Sequence, residues 1–293
     1  MNGALTTIVL PLSLTVIMFG MGTSLVTEDF KRIFIYPKAV AIGIVGQILL
    51  LPLVGYLFAS QLGLTPEISV GVMVLVACAG GATSNMIVYL ARGDVALSVT
   101  LTAISSCITI FTIPLVINFA LFHFMDATVE TALPIGSTNM KLFMITLFPV
   151  MLGMLVRNYY SSFAIRLEKP MNKLTTVLFV LIIAAILFKE RGQLTDYIIS
   201  AGPVSYFLNL TCMALGFVAA RLFRLDDRQS TTVSIEIGVQ NSATGIFIAA
   251  TLLNNSAIAI VPAVYGLVMF LNAGLLLLLT RQSYSKEVLK GSS

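Results

Sequence analysis

Glu236-Ile237-Gly238-Val239-Gln240-Asn241-Ser242 and Gly80-Gly81-Ala82-Thr83-Ser84-Asn85 interrupt two long apolar runs with glycines, amides and one carboxylate. Backbone polar groups in lipid have no water to bond, so irregular backbone at membrane depth survives only inside protein or beside a wet cavity. Small residues at a helix contact would account for the glycines alone. They do not account for Asn85, Gln240 and Asn241, whose amides carry several donors and acceptors and are costly to bury unpartnered. The two stretches predict broken, polar-lined transmembrane segments that meet inside the bilayer and carry the working site.

The composition around them agrees. Of 293 residues, 58% are hydrophobic and 10% charged, with a mean hydropathy of +0.98, against the roughly one-quarter charged of soluble domains. A hydrocarbon core of about 30 Å needs about 20 apolar residues per helix. That ruler predicts an all-α membrane protein of nine transmembrane helices, near 3–24, 39–62, 67–90, 94–124, 140–160, 174–189, 196–222, 230–253 and 256–280. The joints read as Glu28–Arg32, Ala91–Asp94, Glu168-Lys169-Pro170, Lys189–Gly192 and Leu225–Arg228. The first apolar run is expected to stay as a helix rather than be cleaved as a leader, and 291–293 reads as a tail left by cloning. Cys78, Cys107 and Cys212 lie in apolar stretches without paired spacing, which argues against a disulfide framework or a metal site.

Orientation follows from the basic residues of the short loops. With the N-terminus outside, the inner side holds Lys31, Arg32, Lys38, Arg92, Arg157, Arg166, Lys169, Lys173, Arg221, Arg224, Arg228, Arg281, Lys286 and Lys290. The outer side keeps only Lys141, Lys189 and Arg191. This bias predicts a multi-pass inner-membrane protein with its C-terminus in the cytoplasm. Topology thus explains the net charge of +4 without nucleic acid.

The two broken spans are the third and the eighth, five helices apart, so they run in opposite directions. That suggests an inverted repeat of a five-helix unit lacking its first helix, about 1–124 and 140–282, with discontinuous helices at the midplane. Glu236 lies eight residues past Arg228, roughly 12 Å deep if helical, and an intramembrane carboxylate marks a candidate functional site. The fourth span lines up Ser98, Thr102, Ser105, Ser106 and Thr109 on one face. Each could bond back to its own helix, but together they form a stripe able to face the first break. Gln47, near a Pro52 kink, and Asn272 are further amides at depth.

Carboxylate, hydroxyl and amide oxygens with freed carbonyls suit a hard cation such as sodium, and the N-termini of restarting half-helices favour an anionic group. The reading is a sodium-coupled carrier of an organic anion. An enzyme is disfavoured, because the single histidine, His123, sits at the outer end of the fourth span between Phe122 and Phe124, where an interfacial role fits. No nucleophile–base pair is visible.

At these residues the chain resembles the bile acid:sodium symporter family, over nearly its whole length. The most specific matches are Gly80–Asn85, the following Tyr89–Val99 and Glu236–Ser242. The resemblance implies a panel domain beside a core domain in which the broken helices cross, and it implies two sodium ions. One would be held by Ser84, Asn85, Ser98, Thr102 and Glu236. The second would take Gln47, Glu236, Gln240 and the carbonyls of Ile237 and Val239. The substrate cavity by the crossover is expected to involve Ala82, Thr83, Asn241, Ser242, Leu271 and Asn272. Leu271-Asn272 stands where some bacterial members carry His-Asn, Gly80-Gly81-Ala82-Thr83 replaces Gly-Gly-Thr-Ala, and the nine-helix plan matches the animal members.

The expected partners are a small organic anion (a bile acid, a pantoate-like or another carboxylate) and membrane lipid, with the monomer as the favoured state. Rival readings make Glu236 a proton site, or make the protein a channel or non-transporting sensor, for which no repeated pore motif or charged ring is visible. A metalloid exporter would need a reactive Cys78.

Overall fold

The computed structural model describes residues 4–126, 128, 132–192 and 194–291, and every regular element among them is helical. In chain order these are α1 (Leu10–Gly22, preceded by a π turn Leu5–Val9), α2 (Thr27–Lys31), α3 (Pro37–Gln61), α4 (Pro66–Ala77), α5 (Ala82–Leu90) and α6 (Val95–Phe124). They continue as α7 (Ile135–Tyr159), α8 (Ser161–Lys189), α9 (Leu194–Leu222), α10 (Asp227–Gly238), α11 (Ser242–Leu252) and α12 (Ile260–Gly291).

Among the described residues, six helices are long and apolar enough to cross a membrane: α3, α6, α7, α8, α9 and α12. A seventh candidate is the pair Thr6–Gly22 and Thr27–Phe34, bent by 74° at their junction. The expected third and eighth spans are each split, into α4 and α5 and into α10 and α11.

The sixth expected span needs correction. Glu168-Lys169-Pro170 is not a joint, because α8 runs unbroken from Ser161 through Pro170 to Lys189. An internal proline costs the hydrogen bond to the residue four positions back. Pro170 and Arg166, whose carbonyl loses that bond, are both exposed in the N-terminal third of the helix, so water can replace it. The chain turns instead at Tyr160, with φ −128° and ψ 52°. Elsewhere prolines widen helices: three of the four π turns end two residues before one, at Val9 and Pro11, Leu50 and Pro52, and Leu147 and Pro149. A ring that cannot donate and that crowds the preceding turn is relieved by such a bulge. The bulge before Pro52 contains Gln47.

Helix α1 packs on α7 and α8, whereas α9 packs on α10 and α12, and α4 packs between α3 and α6. The turns entering α6 and α10 share one geometry. Arg92 and Arg224 both have φ 57°, the next residue bonds back five positions (Gly93 N–H to Val88 O, 2.9 Å; Leu225 N–H to Ala220 O, 3.0 Å), and an aspartate then caps the new helix. Asp94 accepts from Leu97 N–H and Asp226 from Gln229 N–H. The turns are also tied together. Thr232 Oγ1 accepts from Asp94 N–H at 2.8 Å, and Arg228 donates to the Gly93 carbonyl at 3.2 Å. These ties fix the depth of Ser98 on α6 against Glu236 on α10.

Candidate functional site

The two breaks touch. Ala79 and Gln240 form an antiparallel bridge, and Asn241 N–H donates to the Cys78 carbonyl at 2.9 Å. In the first break the backbone turns at Gly80, φ +79°, where a Cβ would come within 2.5 Å of Ser105 Oγ. Glycine is the residue that takes this conformation without steric cost.

Beside the crossing sits Glu236, with 0% exposure, in none of the ion pairs among the described residues. Its carboxylate accepts from Ser98 Oγ at 2.6 Å, from Thr102 Oγ1 at 3.0 Å and from Gln47 Nε2 at 3.3 Å. Taking a carboxylate out of water costs several kcal/mol even after relaxation. Three neutral donors offset part of that, and a bound cation would offset the rest.

Two sets of oxygens radiate from Glu236. In the first, Ser98 Oγ lies 2.7 Å from Asn85 Oδ1 as well as 2.6 Å from Glu236 Oε1. Ser84 Oγ is 3.3 Å from Thr102 Oγ1 and donates its proton to the Gly81 carbonyl. A hydroxyl has one proton, so Ser98 cannot donate to both Asn85 and Glu236. Asn85 Oδ1 and Glu236 Oε1 compete for that one proton, and a cation between them would relieve the competition. Ser84, Ser98 and Thr102 are fully buried, and Asn85 is half-buried.

In the second set, Gln47 Nε2 donates to the Glu236 backbone carbonyl at 2.9 Å, and Gln240 Nε2 donates to the Ile237 carbonyl at 2.7 Å. The amide oxygens of both glutamines are buried without a hydrogen-bond partner. Orphaned acceptors of this kind are uncommon in folded proteins. Among the described residues six other buried polar side-chain atoms also lack a partner, the amide oxygens of Asn139 and Asn272 among them, but those of Gln47 and Gln240 belong to the residues expected to hold the second ion. Val239 follows with φ −92° and ψ 115°. The donor set is all oxygen, and no group of three His, Cys, Asp or Glu occurs among the described residues. It fits a hard monovalent cation and not a soft one.

The Ser/Thr stripe of α6 divides. Ser98 and Thr102 reach Glu236, but Ser105 and Ser106 donate to the Thr102 carbonyl and Thr109 to that of Ser106. Ser106 and Thr109 still line a cavity against the crossing, together with Cys78, Ala79, Asn241 and Thr244, closed opposite by Met18, Leu142, Thr146, Leu147 and Val150 of α1 and α7. A second, almost wholly apolar cavity shares Ser106, Leu147 and Val150 and extends past Met21, Leu25, Met151 and Met154.

Of the residues expected at the substrate cavity, Asn241 lines it and its side chain caps Thr244 N–H at 3.1 Å. Ser242 is buried beside it with its hydroxyl unpartnered, and Thr83 is half-buried at the start of α5. The Ala82 side chain lies outside the described residues. Leu271 is not brought to the crossing. It is exposed with Leu267, Leu275 and Leu278 in one apolar stripe of α12. Asn272, on the opposite face, bonds Asn209 Oδ1 at 2.8 Å. His123 packs in the last turn of α6 against Tyr56, Phe119 and Phe124.

Asn209 and Tyr265 are absent from the expected set. Asn209 donates to the Gly238 carbonyl at 2.8 Å, and Tyr265 does so at 2.6 Å. The one signal in the sequence is an isolated amide in the middle of an apolar span, the criterion that singled out Gln47 and Asn272.

Comparison with known proteins bears on what this geometry serves. The model of a family described as "Sodium Bile acid symporter family" matches residues 11–197. The uncharacterized sodium-dependent transporter YocS of Bacillus subtilis is 31% identical over 236 residues, covering 80% of this chain and 72% of that protein. The probable sodium/metabolite cotransporter BASS1, chloroplastic, of rice is 32% identical over 84% of this chain and 59% of its own length. The human ileal sodium/bile acid cotransporter is 26% identical over 80% of this chain and 66% of its own. The chain thus spans about three-fifths of the rice protein and two-thirds of the human one.

Proposed function

Because the chain belongs to the sodium bile acid symporter family, whose members are transporters and not enzymes, we propose that it is a sodium-coupled secondary active symporter of an organic anion. Among its relatives are proteins named as sodium-dependent transporters or cotransporters. The observation that carries the coupling to sodium is the buried carboxylate of Glu236, in no ion pair among the described residues, flanked by Asn85 and Ser98 oxygens that share one proton with it and by the orphaned oxygens of Gln47 and Gln240.

Ser84, Asn85, Ser98 and Thr102 with Glu236 hold one sodium ion. Gln47, Gln240 and Glu236 with the Ile237 and Val239 carbonyls hold the other. The anionic head of the substrate sits against the crossing near Thr83, Asn241 and Ser242, and its apolar body lies in the cavity between α1, α6 and α7. Two cavities that share Ser106, Leu147 and Val150, one of mixed lining beside the crossing and one almost wholly apolar, suit an amphipathic carboxylate such as a bile acid; a smaller carboxylate would use the first alone. The six continuous spans, α1 and the two split pairs make nine crossings, N-terminus outside and C-terminus in the cytoplasm, following the lysine and arginine bias. Helices α1, α7 and α8 form the panel against which the remaining core rocks.

Thermal unfolding in detergent tests the ion. Sodium is expected to raise the melting temperature and potassium not to, and equal stabilisation by potassium would sink the sodium assignment. The same carboxylate could instead carry a proton, and substrate uptake into proteoliposomes driven by a pH gradient without sodium would establish that reading in its place.

A further inference from the structure

The second break is held from behind by a hydrogen-bonded chain that touches neither proposed ion. Asn272 Nδ2 donates to Asn209 Oδ1 at 2.8 Å. Asn209 Nδ2 donates to the Gly238 carbonyl at 2.8 Å and lies 3.0 Å from the Tyr265 hydroxyl, which itself donates to the same carbonyl at 2.6 Å. Asn209 and Tyr265 have 0% exposure and Asn272 4%. A carbonyl oxygen has two lone pairs, and here both are taken.

Gly238 is the last residue of α10, where carbonyls run out of helical partners, and it stands between the two residues whose carbonyls are assigned to an ion. Val239 is extended, and successive peptide groups of an extended chain face opposite sides. Pinning the Gly238 carbonyl toward α9 and α12 therefore turns the Val239 carbonyl away from them, toward the crossing. Without the pin, the bare Gly238 carbonyl would be free to compete for the cation and the break free to rotate.

We propose that Tyr265 and Asn209 are positioning residues for the second sodium site: by saturating the Gly238 carbonyl they exclude it from the ion's shell and fix the Ile237 and Val239 carbonyls within it. This deepens the sodium reading and rests on it.

The test is the sodium dependence of uptake in proteoliposomes, with substrate kinetics at saturating sodium measured alongside. Tyr265→Phe keeps the ring and removes the donor. It is expected to raise half-saturating sodium about five-fold, which corresponds to about 1 kcal/mol, the scale of one buried hydrogen bond. Substrate half-saturation at high sodium and the maximal rate per folded protein should stay within about two-fold. Asn209→Ala should act in the same direction and more strongly. Ser205→Ala removes a fully buried hydroxyl without a partner, one turn before Asn209 on α9, and should leave half-saturating sodium unchanged. A merely structural role would instead lower the folded fraction or the maximal rate in all three. Unchanged half-saturating sodium in folded Tyr265→Phe overturns the proposal, as does an equal shift in Ser205→Ala. If Tyr265→Phe does not fold, the same two outcomes are read from Asn209→Ala, and from Asn272→Ala if needed, which loosens Asn209. Wild-type uptake indifferent to sodium would sink the symport reading itself, a result separable from the others.

Discussion

The two breaks solve one problem by different means. In the first, the chain reverses at Gly80 with φ +79°, and the flanking residue Gly81 offers no side chain to cap α5. Its shape is written in backbone torsions, with Ser84 of α5 bonded to the Gly81 carbonyl and Ser105 of α6 against Gly80. The second break has no residue at positive φ. Its shape is written in side chains: Asn241 caps α11, Gln240 bonds the Ile237 carbonyl, and Tyr265 and Asn209 hold the Gly238 carbonyl. The ionisable group also belongs to the second segment. One half is a rigid receptacle, and the other supplies charge and adjustable ligands. The first should therefore fail when atoms are added and the second when atoms are removed.

The largest effect expected is at Glu236, shared by both oxygen sets. Glu236→Ala should bring sodium-dependent stabilisation and uptake to background, and a protein that kept half its sodium response would break the asymmetry outright. Gln240→Ala removes one orphaned oxygen and leaves the first set whole. Half-saturating sodium should rise by roughly ten-fold, taking the loss of a ligand to a charged group as about 1.5 kcal/mol. A simple loss of protein yield without that shift would argue that Gln240 only shapes the backbone.

At the first break the sign reverses. Gly80→Ala puts a Cβ on a residue at positive φ, which costs roughly 1–2 kcal/mol, and drives it against Ser105 Oγ. The melting temperature should fall with sodium or without it. Ser105→Ala alone, removing a buried hydroxyl bonded to its own helix, should cost no more than about 1 kcal/mol, the scale of one hydrogen bond. Combined with Gly80→Ala it should restore part of the loss, and strict additivity would show that torsion alone, not the contact, sets the cost. Asn241→Ala loses a helix cap worth about 1 kcal/mol, checked by thermal unfolding without sodium.

Much of this was legible because it depends on local chemistry. Glycine pairs and amides inside apolar runs announced both breaks, and a lone carboxylate at depth announced Glu236. Proline at 170 reads as a stop in the sequence, whereas α8 passes through it because the freed Arg166 carbonyl lies at an exposed stretch of the helix where water can take it up. The motif places Leu271 beside Asn272 at the cavity, yet one residue is about 100° of rotation around a helix, which separates the apolar stripe of Leu271 from the buried face of Asn272.

The sequence by itself determined that the chain is membrane-embedded and helical, where its helices break, and that a buried carboxylate lies beside hydroxyls and amides. Hydropathy, glycine torsions and residue chemistry are properties of the chain alone. Only the tertiary structure decided which hydroxyls turn to Glu236 and which fold back on α6, that Asn272 serves Asn209, and that Tyr265 closes on the Gly238 carbonyl. Those outcomes depend on the rotation and depth of each helix against its neighbours, set by packing across more than a hundred residues of sequence separation, as between Ser98 and Glu236 at 138.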